Sequence, residues 1–99
     1  MKFGIEEVIF DRIINLIRNE KSIKKAILFG SRARGDFTKY SDIDIAIIVD
    51  GKMSPEFKLD LDEAAGLYKI DIVELEGLEN ETFKNRILKE GIVIFERGV

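Results

Sequence analysis

Apolar residues recur along this chain with two different spacings, and these spacings predict its helices and strands. Between positions 5 and 20 they recur every three or four residues, which is typical of an amphipathic helix. Phe10 and Ile14 widen the apolar arc of this helix to about half of its circumference. Deep packing in the core is the favoured interpretation of the wide arc, and a surface for a partner protein is the alternative.

Short apolar runs predict four strands, at residues 26–29, 43–50, 70–75 and 92–96. A second helix is predicted to begin with Ser54 as its cap and Pro55 in its first turn. A last helix is predicted from a cap at Asn80 through Glu90, with Gly91 in the left-handed position that follows it. Helices and strands in this order predict a compact α/β layer structure.

The size and composition of the chain limit both its architecture and its chemistry. Its 99 residues are expected to form one domain over positions 1–99. A hydrophobic fraction of 45% and a charged fraction of 35% are typical of a folded soluble protein. Because the chain has no cysteine or histidine, disulfides, thiol catalysis, histidine bases and the usual zinc sites are excluded. Any metal must be held by oxygen.

The net charge of −3 argues against binding to long nucleic acid, which needs a surplus of basic residues on one face. A small anion such as a nucleotide remains a compatible ligand at this net charge.

The longest uninterrupted apolar run covers only residues 45–49, so neither export nor membrane spanning is expected. A cytoplasmic location is therefore predicted.

Residues 30–44, GSRARGDFTKYSDID, lie between two of the predicted strands and contain the candidate chemistry. Gly30 allows the backbone to approach a ligand closely, and Ser31 offers a hydroxyl and an amide at the start of a turn. This pair predicts a phosphate-binding turn. Arg32 and Arg34 could neutralise further phosphate charge, and a solvated loop face is the alternative interpretation of these arginines.

Three aspartates form the second part of the candidate site. Asp42 and Asp44 are two residues apart, so in a strand they face the same side with α-carbons about 6.6 Å apart. Asp71 lies between two isoleucines of the next predicted strand. If these strands are neighbours, roughly 4.8 Å apart, the three carboxylates can surround two cations about 4 Å apart. Oxygen ligands favour Mg²⁺.

Each of these features also has an ordinary structural interpretation. Gly-Ser commonly forms turns, and Asp-Ile-Asp occurs in edge strands whose acids face solvent. Together, however, a Gly-Ser followed after ten residues by Asp-any-Asp arises by chance in roughly one chain in a thousand of this size. The combination therefore favours a functional site.

The stretch GSRARGDFTKYSDIDIAII resembles the signature of the DNA polymerase β-like nucleotidyltransferase superfamily, which is Gly-Ser, ten residues, then Asp-x-Asp. Asp71 in IDIV matches the third carboxylate of that superfamily. The short chain and its ending, FKNRILKEGIVIFE, resemble the minimal nucleotidyltransferase (MNT) branch, and the similarity covers nearly all 99 residues. Many members of this branch are antitoxins, of the MntA type, paired with a HEPN-domain ribonuclease toxin.

The resemblance implies an α+β fold in which helices cover a small mixed sheet of about four strands. It implies Asp42, Asp44 and Asp71 as catalytic residues and as ligands of two Mg²⁺ ions. The implied nucleotide-binding residues are Gly30, Ser31, Arg32 and Arg34. The implied activity is transfer of AMP from ATP to a tyrosine hydroxyl of a HEPN toxin, with which the chain would form a hetero-oligomer.

Two alternative functions stay open. The chain could be a nucleotidyltransferase for a small molecule or an RNA end that relies on a separate substrate-binding subunit. It could also be a non-catalytic antitoxin that inhibits by binding alone. The intact set of three carboxylates argues against inhibition by binding alone, and the acidic pI and the lack of a substrate domain argue against the other alternative.

Overall fold

The computed structural model describes residues 1–98, and the last position of the predicted domain, residue 99, lies outside them. Strands and helices alternate along the chain. In order they are α1 (Glu7–Asn19), β1 (Ile23–Phe29), α2 (Ser31–Arg34), β2 (Ile43–Val49), α3 (Phe57–Ala65), β3 (Ile70–Glu74), a 3₁₀ turn (Leu75–Gly77), α4 (Glu81–Glu90) and β4 (Ile92–Glu96).

The four strands form one mixed sheet in the order β3-β2-β1-β4. β1 pairs antiparallel with both β2 and β4, whereas β2 and β3 are parallel. A parallel pair needs a crossover connection, and α3 provides it. The predicted α+β fold with a mixed sheet of four strands is therefore confirmed.

Side chains alternate between the two faces of the sheet, as the pleat of a strand requires. On β2, Ile43, Ile45 and Ile47 join the larger core cluster beneath α1 and α3, while Ala46 faces the smaller cluster. Ile87 of α4 belongs to this smaller cluster. Helices therefore cover both faces, α1 and α3 on one side and α4 on the other.

Helix α1 is packed into the larger core. Phe10 is buried, with its ring centroid 5.8 Å from that of Phe3, and Ile14 packs against the same cluster. Deep packing of the wide apolar arc is confirmed. Phe10 consequently does not belong to an exposed surface for a partner.

The beginning of α3 differs from the prediction. Ser54 does not cap the helix, because its hydroxyl and its amide both donate to Oε2 of Glu20, at 2.9 and 3.2 Å. The Phe57 amide donates to the Ser54 carbonyl at 3.2 Å, so Ser54 and Pro55 belong to a turn that precedes the helix. The Ser54 side chain therefore bonds to Glu20, which is distant in the sequence, instead of capping α3.

Helix α4 is confirmed at both ends, but the glycine after it was interpreted wrongly. The Asn80 side chain accepts a hydrogen bond from the Phe83 amide at 3.0 Å, as an N-cap does. Gly91 has φ −70° and ψ 155°, which is extended rather than left-handed. A Cβ at this position would collide with the Ile27 side chain and the Ile87 carbonyl. Close packing against β1 therefore explains this glycine.

β1 begins three residues earlier than predicted, at Ile23.

Within residues 1–98, none of the helices combines the length and the apolar character needed to cross a bilayer.

Candidate active site

Three carboxylates meet at the point where β2 and β3 begin. These strands pair in parallel, and the register places Asp44 directly opposite Asp71. Asp42 precedes Asp44 by two residues. One carboxylate oxygen of each aspartate lies within 4.8 Å of one from each of the others, and all three residues are half-buried. The structure thus brings together the three acids that the sequence singled out.

The pleat explains why the three acids share one face of the sheet. Residues two positions apart in a strand face the same side, so Asp44 shares a face with Ala46 on β2 and Asp71 shares a face with Val73 on β3. Ala46 and Val73 both belong to the cluster beneath α4. The acids continue this face beyond the residues that fill the cluster, so they lie at the open end of the sheet beside α4.

The surroundings of Asp44 disfavour the charged form of its carboxyl. Burial raises the pKa of the Asp44 carboxyl, and the charges of Asp42 and Asp71 raise it further. Lys69 and Arg32 act in the opposite direction. The Lys69 ammonium is 3.9 Å from Oδ2 of Asp42 and is itself largely exposed, so it compensates the cluster only in part.

The geometry and the donor atoms of this cluster fit Mg²⁺. Two oxygens bound to one octahedral Mg²⁺ ion are about 3.0 Å apart when adjacent and about 4.2 Å apart when opposite, because each Mg–O distance is about 2.1 Å. The carboxylate oxygens of the cluster lie within 4.8 Å of one another, so rotations of the side chains that draw them closer would let them share a cation. A hard divalent cation also favours a site that offers oxygen ligands alone.

Gly30 brings the turn after β1 against the acid cluster. Its φ is 74°, in the region that favours glycine, and a Cβ at this position would lie 2.5 Å from Oδ2 of Asp44. The Gly30 carbonyl accepts hydrogen bonds from the Ala33 and Arg34 amides, both at 3.1 Å. Ser31 follows as the first residue of α2. The predicted Gly-Ser turn and the acids therefore adjoin one another.

Arg32 does not lie where a nucleotide could reach it, contrary to the sequence prediction. Only 1% of its surface is exposed. Its guanidinium donates to the Ser41 carbonyl through Nε and Nη2, at 3.2 and 2.8 Å, and to the Phe3 carbonyl through Nη1 at 2.9 Å. The rings of Phe37 and Tyr68 lie 5.2 and 5.1 Å from it. All of these contacts are within the protein.

Arg34 occupies a different environment on the same short helix. It is partly exposed and faces the carboxylates of Asp36 and Glu90, at 3.4 and 3.8 Å. Arg34 and Gly30 line a pocket of about 110 Å³ between the Gly-Ser turn and α4. The other lining residues are Phe29, Phe83, Arg86, Ile87 and Glu90. Arg34 therefore lines the pocket beside the Gly-Ser turn, whereas Arg32 does not.

Sequence reasoning missed two residues of this region. Lys69 pairs with Asp42, and Tyr68 supports the Arg32 guanidinium. Lys69 lies two residues before Asp71 in the sequence, and this spacing could have indicated that a lysine lies near the acids. No short-range pattern connects Tyr68 with Arg32, because the two residues are 36 positions apart and meet only in the folded chain.

Comparisons with known proteins agree with this geometry. Residues 11–98 match the family model described as polymerase beta, nucleotidyltransferase. The protein MJ0604 of Methanocaldococcus jannaschii, provisionally named a protein adenylyltransferase, is 37% identical over 100 residues. The match covers 91% of this chain and 98% of MJ0604.

Two solved structures show the same fold. A crystal structure of a toxin–antitoxin with AMP-PNP matches with a TM-score of 0.73 and 24% identity, over 89% of this chain and 73% of that chain. A structure of the tri-AMPylated Shewanella oneidensis HEPN toxin in complex with MNT antitoxin matches with a TM-score of 0.63 and 23% identity, over 91% and 71% of the two chains. Since the family model spans most of the sequence and MJ0604 resembles it along nearly its whole length, this chain belongs to the polymerase β nucleotidyltransferase family.

Proposed function

We propose that this chain transfers AMP from ATP to a tyrosine hydroxyl of a partner HEPN-domain toxin. The observation that carries the proposal is the pairing of Asp44 with Asp71 across parallel strands, directly against the Gly30 turn. A turn that could bind phosphate therefore lies beside acidic side chains that could hold metal ions, and this proximity supports phosphoryl transfer. Asp42, Asp44 and Asp71 would hold two Mg²⁺ ions.

The nucleotide would lie on the side of the cluster formed by β1 and β2. The Gly30 backbone lies directly against the Asp44 carboxylate, and Ser31, the next residue, offers its hydroxyl and amide to a phosphate. Arg34 lies near enough to neutralise phosphate charge from the adjoining pocket. When bound, Mg²⁺ would neutralise the triphosphate and make the acceptor hydroxyl more acidic.

The acceptor would approach from the opposite side, along the free edge of β3. A groove of about 240 Å³ opens there beside Asp71. Leu61, Ile70 and Ile72 give it apolar walls, and Lys58 and Asp62 give it charged ones. In this proposal Asp71 would orient the tyrosine hydroxyl and accept its proton. The hydroxyl oxygen then attacks the α-phosphorus of ATP, and pyrophosphate leaves.

The named relatives support the choice of substrate and partner. One structure of this fold contains a tri-AMPylated HEPN toxin in complex with an MNT antitoxin, and another contains AMP-PNP, an ATP analogue. MJ0604 carries the provisional name of a protein adenylyltransferase. These facts concern those proteins, and they make AMP transfer to a HEPN protein the activity to test for this chain.

Labelled ATP tests the proposal directly. The purified chain is incubated with Mg²⁺, a HEPN-domain partner from a neighbouring reading frame and ATP labelled at the α or the γ phosphate. We expect the partner to acquire the α label alone, on a tyrosine identified by mass spectrometry. The double variant Asp42→Asn, Asp44→Asn should transfer none. A γ label would indicate a kinase, and tight co-purification without any label would indicate inhibition by binding alone.

A further inference from the structure

The chain contains two tyrosines, and their surroundings differ sharply. The ring of Tyr68 lies against the Arg32 guanidinium, and its hydroxyl donates to the Gly4 carbonyl at 3.5 Å. Tyr40 instead has 81% of its surface exposed. It lies in the loop that leads from α2 into β2, close to the acid cluster. An accessible phenol therefore lies near the candidate site for adenylyl transfer to a phenol.

The turn that carries Tyr40 is well anchored. The Thr38 amide donates to Oγ of Ser41 at 2.9 Å, and the Tyr40 amide donates to Oγ1 of Thr38 at 3.2 Å. The Arg32 guanidinium donates two hydrogen bonds to the Ser41 carbonyl. One residue separates Tyr40 from Asp42, so their α-carbons are at most about 7.6 Å apart. The backbone of Tyr40 is thus held two positions before the first acid of the cluster.

Lys39 adds a positive charge at the same point. Its ammonium lies 5.1 Å from the centroid of the Tyr40 ring. A phosphodiester on the Tyr40 oxygen would carry one negative charge, and the adjacent ammonium could pair with it. The surroundings of Tyr40 therefore suit the product of the reaction as well as the free phenol.

From these observations we propose that Tyr40 is a site of self-adenylylation, an inference that rests on the proposed tyrosine adenylyl transfer. The Tyr40 oxygen forms a bond to the α-phosphorus of ATP, and the bond from that phosphorus to the oxygen that bridges it to the β-phosphorus breaks. Pyrophosphate leaves with the bonding electrons, and the phenolic proton passes to solvent.

Mass spectrometry of the chain incubated alone with ATP and Mg²⁺ tests this inference. We expect one AMP per chain, mapped to the peptide that contains Tyr40. Tyr40→Phe should reduce the modification to the level of the inactive Asp42→Asn, Asp44→Asn variant. Tyr68→Phe is the matched control and should remain modified. Because Tyr40 is exposed, Tyr40→Phe should keep the melting temperature of the parent and its transfer to the HEPN partner.

The partner reaction separates failure of this inference from failure of the proposed function. If the chain modifies a tyrosine of the HEPN partner but acquires no AMP itself, self-adenylylation is refuted and the proposed function stands. If AMP appears on Tyr40→Phe at the parent level, the assignment to Tyr40 is wrong. If neither protein is modified, both proposals fail.

Discussion

At the scale of single residues, Asp44 is the most constrained side chain of the site. It faces Asp71 across the β2–β3 pair, follows Asp42 on the same face, and has the Gly30 backbone close to its carboxylate. Burial and the two neighbouring acids raise the pKa of its carboxyl, the burial most. In the absence of a cation, the charged form of Asp44 should therefore destabilise the fold.

The substitution Asp44→Asn tests this cost. Because the pKa of Asp44 is higher in the folded chain than its ordinary value of 3.8, wild-type stability falls as the pH rises through the interval between these values. Asparagine does not ionise. In chelator at pH 7, Asp44→Asn should therefore have the higher melting temperature, and the difference should shrink as the pH falls towards 3.8.

Asp50, an exposed residue just after β2, provides the control for this measurement. Asp50→Asn should change the melting temperature little at either pH, since surface substitutions typically alter stability by less than about 0.5 kcal/mol. Adding Mg²⁺ at pH 7 should reduce the advantage of Asp44→Asn. A metal-free Asp44→Asn protein that melts below the parent at pH 7 would refute this account of the cluster.

The sequence motif singled out Gly30, Ser31, Asp42 and Asp44 together because their chemistry and spacing are local features, whereas Asp71 joined them only on the condition that its strand is a neighbour. It could not distinguish Arg32 from Arg34, which are only two positions apart. A buried arginine and a solvated one differ through contacts that are distant in the chain. For Arg32 these are the Phe3 carbonyl and the Tyr68 ring, 29 and 36 positions away.

At the scale of elements, Arg32 ties the short helix α2 to the loop that enters β2. Its two hydrogen bonds to the Ser41 carbonyl fix the residue directly before Asp42. A third hydrogen bond connects the helix to the N-terminal segment through Phe3. Arg32 is thus expected to position the acids without touching the substrate.

The substitution Arg32→Lys tests this positioning role. Lysine keeps the charge but lacks the planar fork that donates to two carbonyls at once. We expect unfolding free energy to fall by about 1.5–3 kcal/mol, the contribution of a charged hydrogen bond. Well below its melting temperature, the variant should also bind Mg²⁺ more weakly in calorimetry. Arg34→Lys is the control for this affinity, and equal Mg²⁺ affinity in Arg32→Lys and the parent would refute a positioning role.

Gly91 shows why element boundaries were harder to predict than the elements. A glycine after a helix usually indicates a left-handed cap, yet here the requirement is space against Ile27 and Ile87. Ser54 was misread for a similar reason, because its hydrogen-bond partner, Glu20, is 34 positions away. Local patterns predict that an element exists, while tertiary contacts decide how it ends.

The substitution Gly91→Ala measures this close packing. The added methyl group would overpack the junction of α4 with β1, so we expect a loss of about 1–3 kcal/mol in unfolding free energy, measured by urea denaturation. Gly77→Ala is the matched control, since its Cβ would meet only Glu74 Cβ at an ordinary 3.9 Å. Equal stability of the two variants would contradict the packing explanation.

At the scale of the whole molecule, the sheet order separates the proposed nucleotide side from the proposed acceptor side. β2, which contains Asp44 and begins directly after Asp42, lies between β1, which leads into the Gly-Ser turn, and β3, which carries Asp71 at the sheet edge. The parallel pairing of β2 with β3 was only a condition in the sequence argument, because strand order follows from long-range packing. Asp42 and Asp44 should therefore serve the nucleotide, and Asp71 mainly the acceptor.

The most direct test of this account compares ATP binding with AMP transfer in Asp71→Asn. In calorimetry with Mg²⁺, Asp71→Asn should keep an ATP affinity within a few-fold of the parent, while the rate of transfer to the HEPN partner falls roughly 10²–10⁴-fold. The variant Asp42→Asn, Asp44→Asn should lose both. Asp50→Asn, outside both the groove and the cluster, should keep both. Transfer by Asp71→Asn within a few-fold of the parent, at saturating Mg²⁺ and partner, would contradict the account.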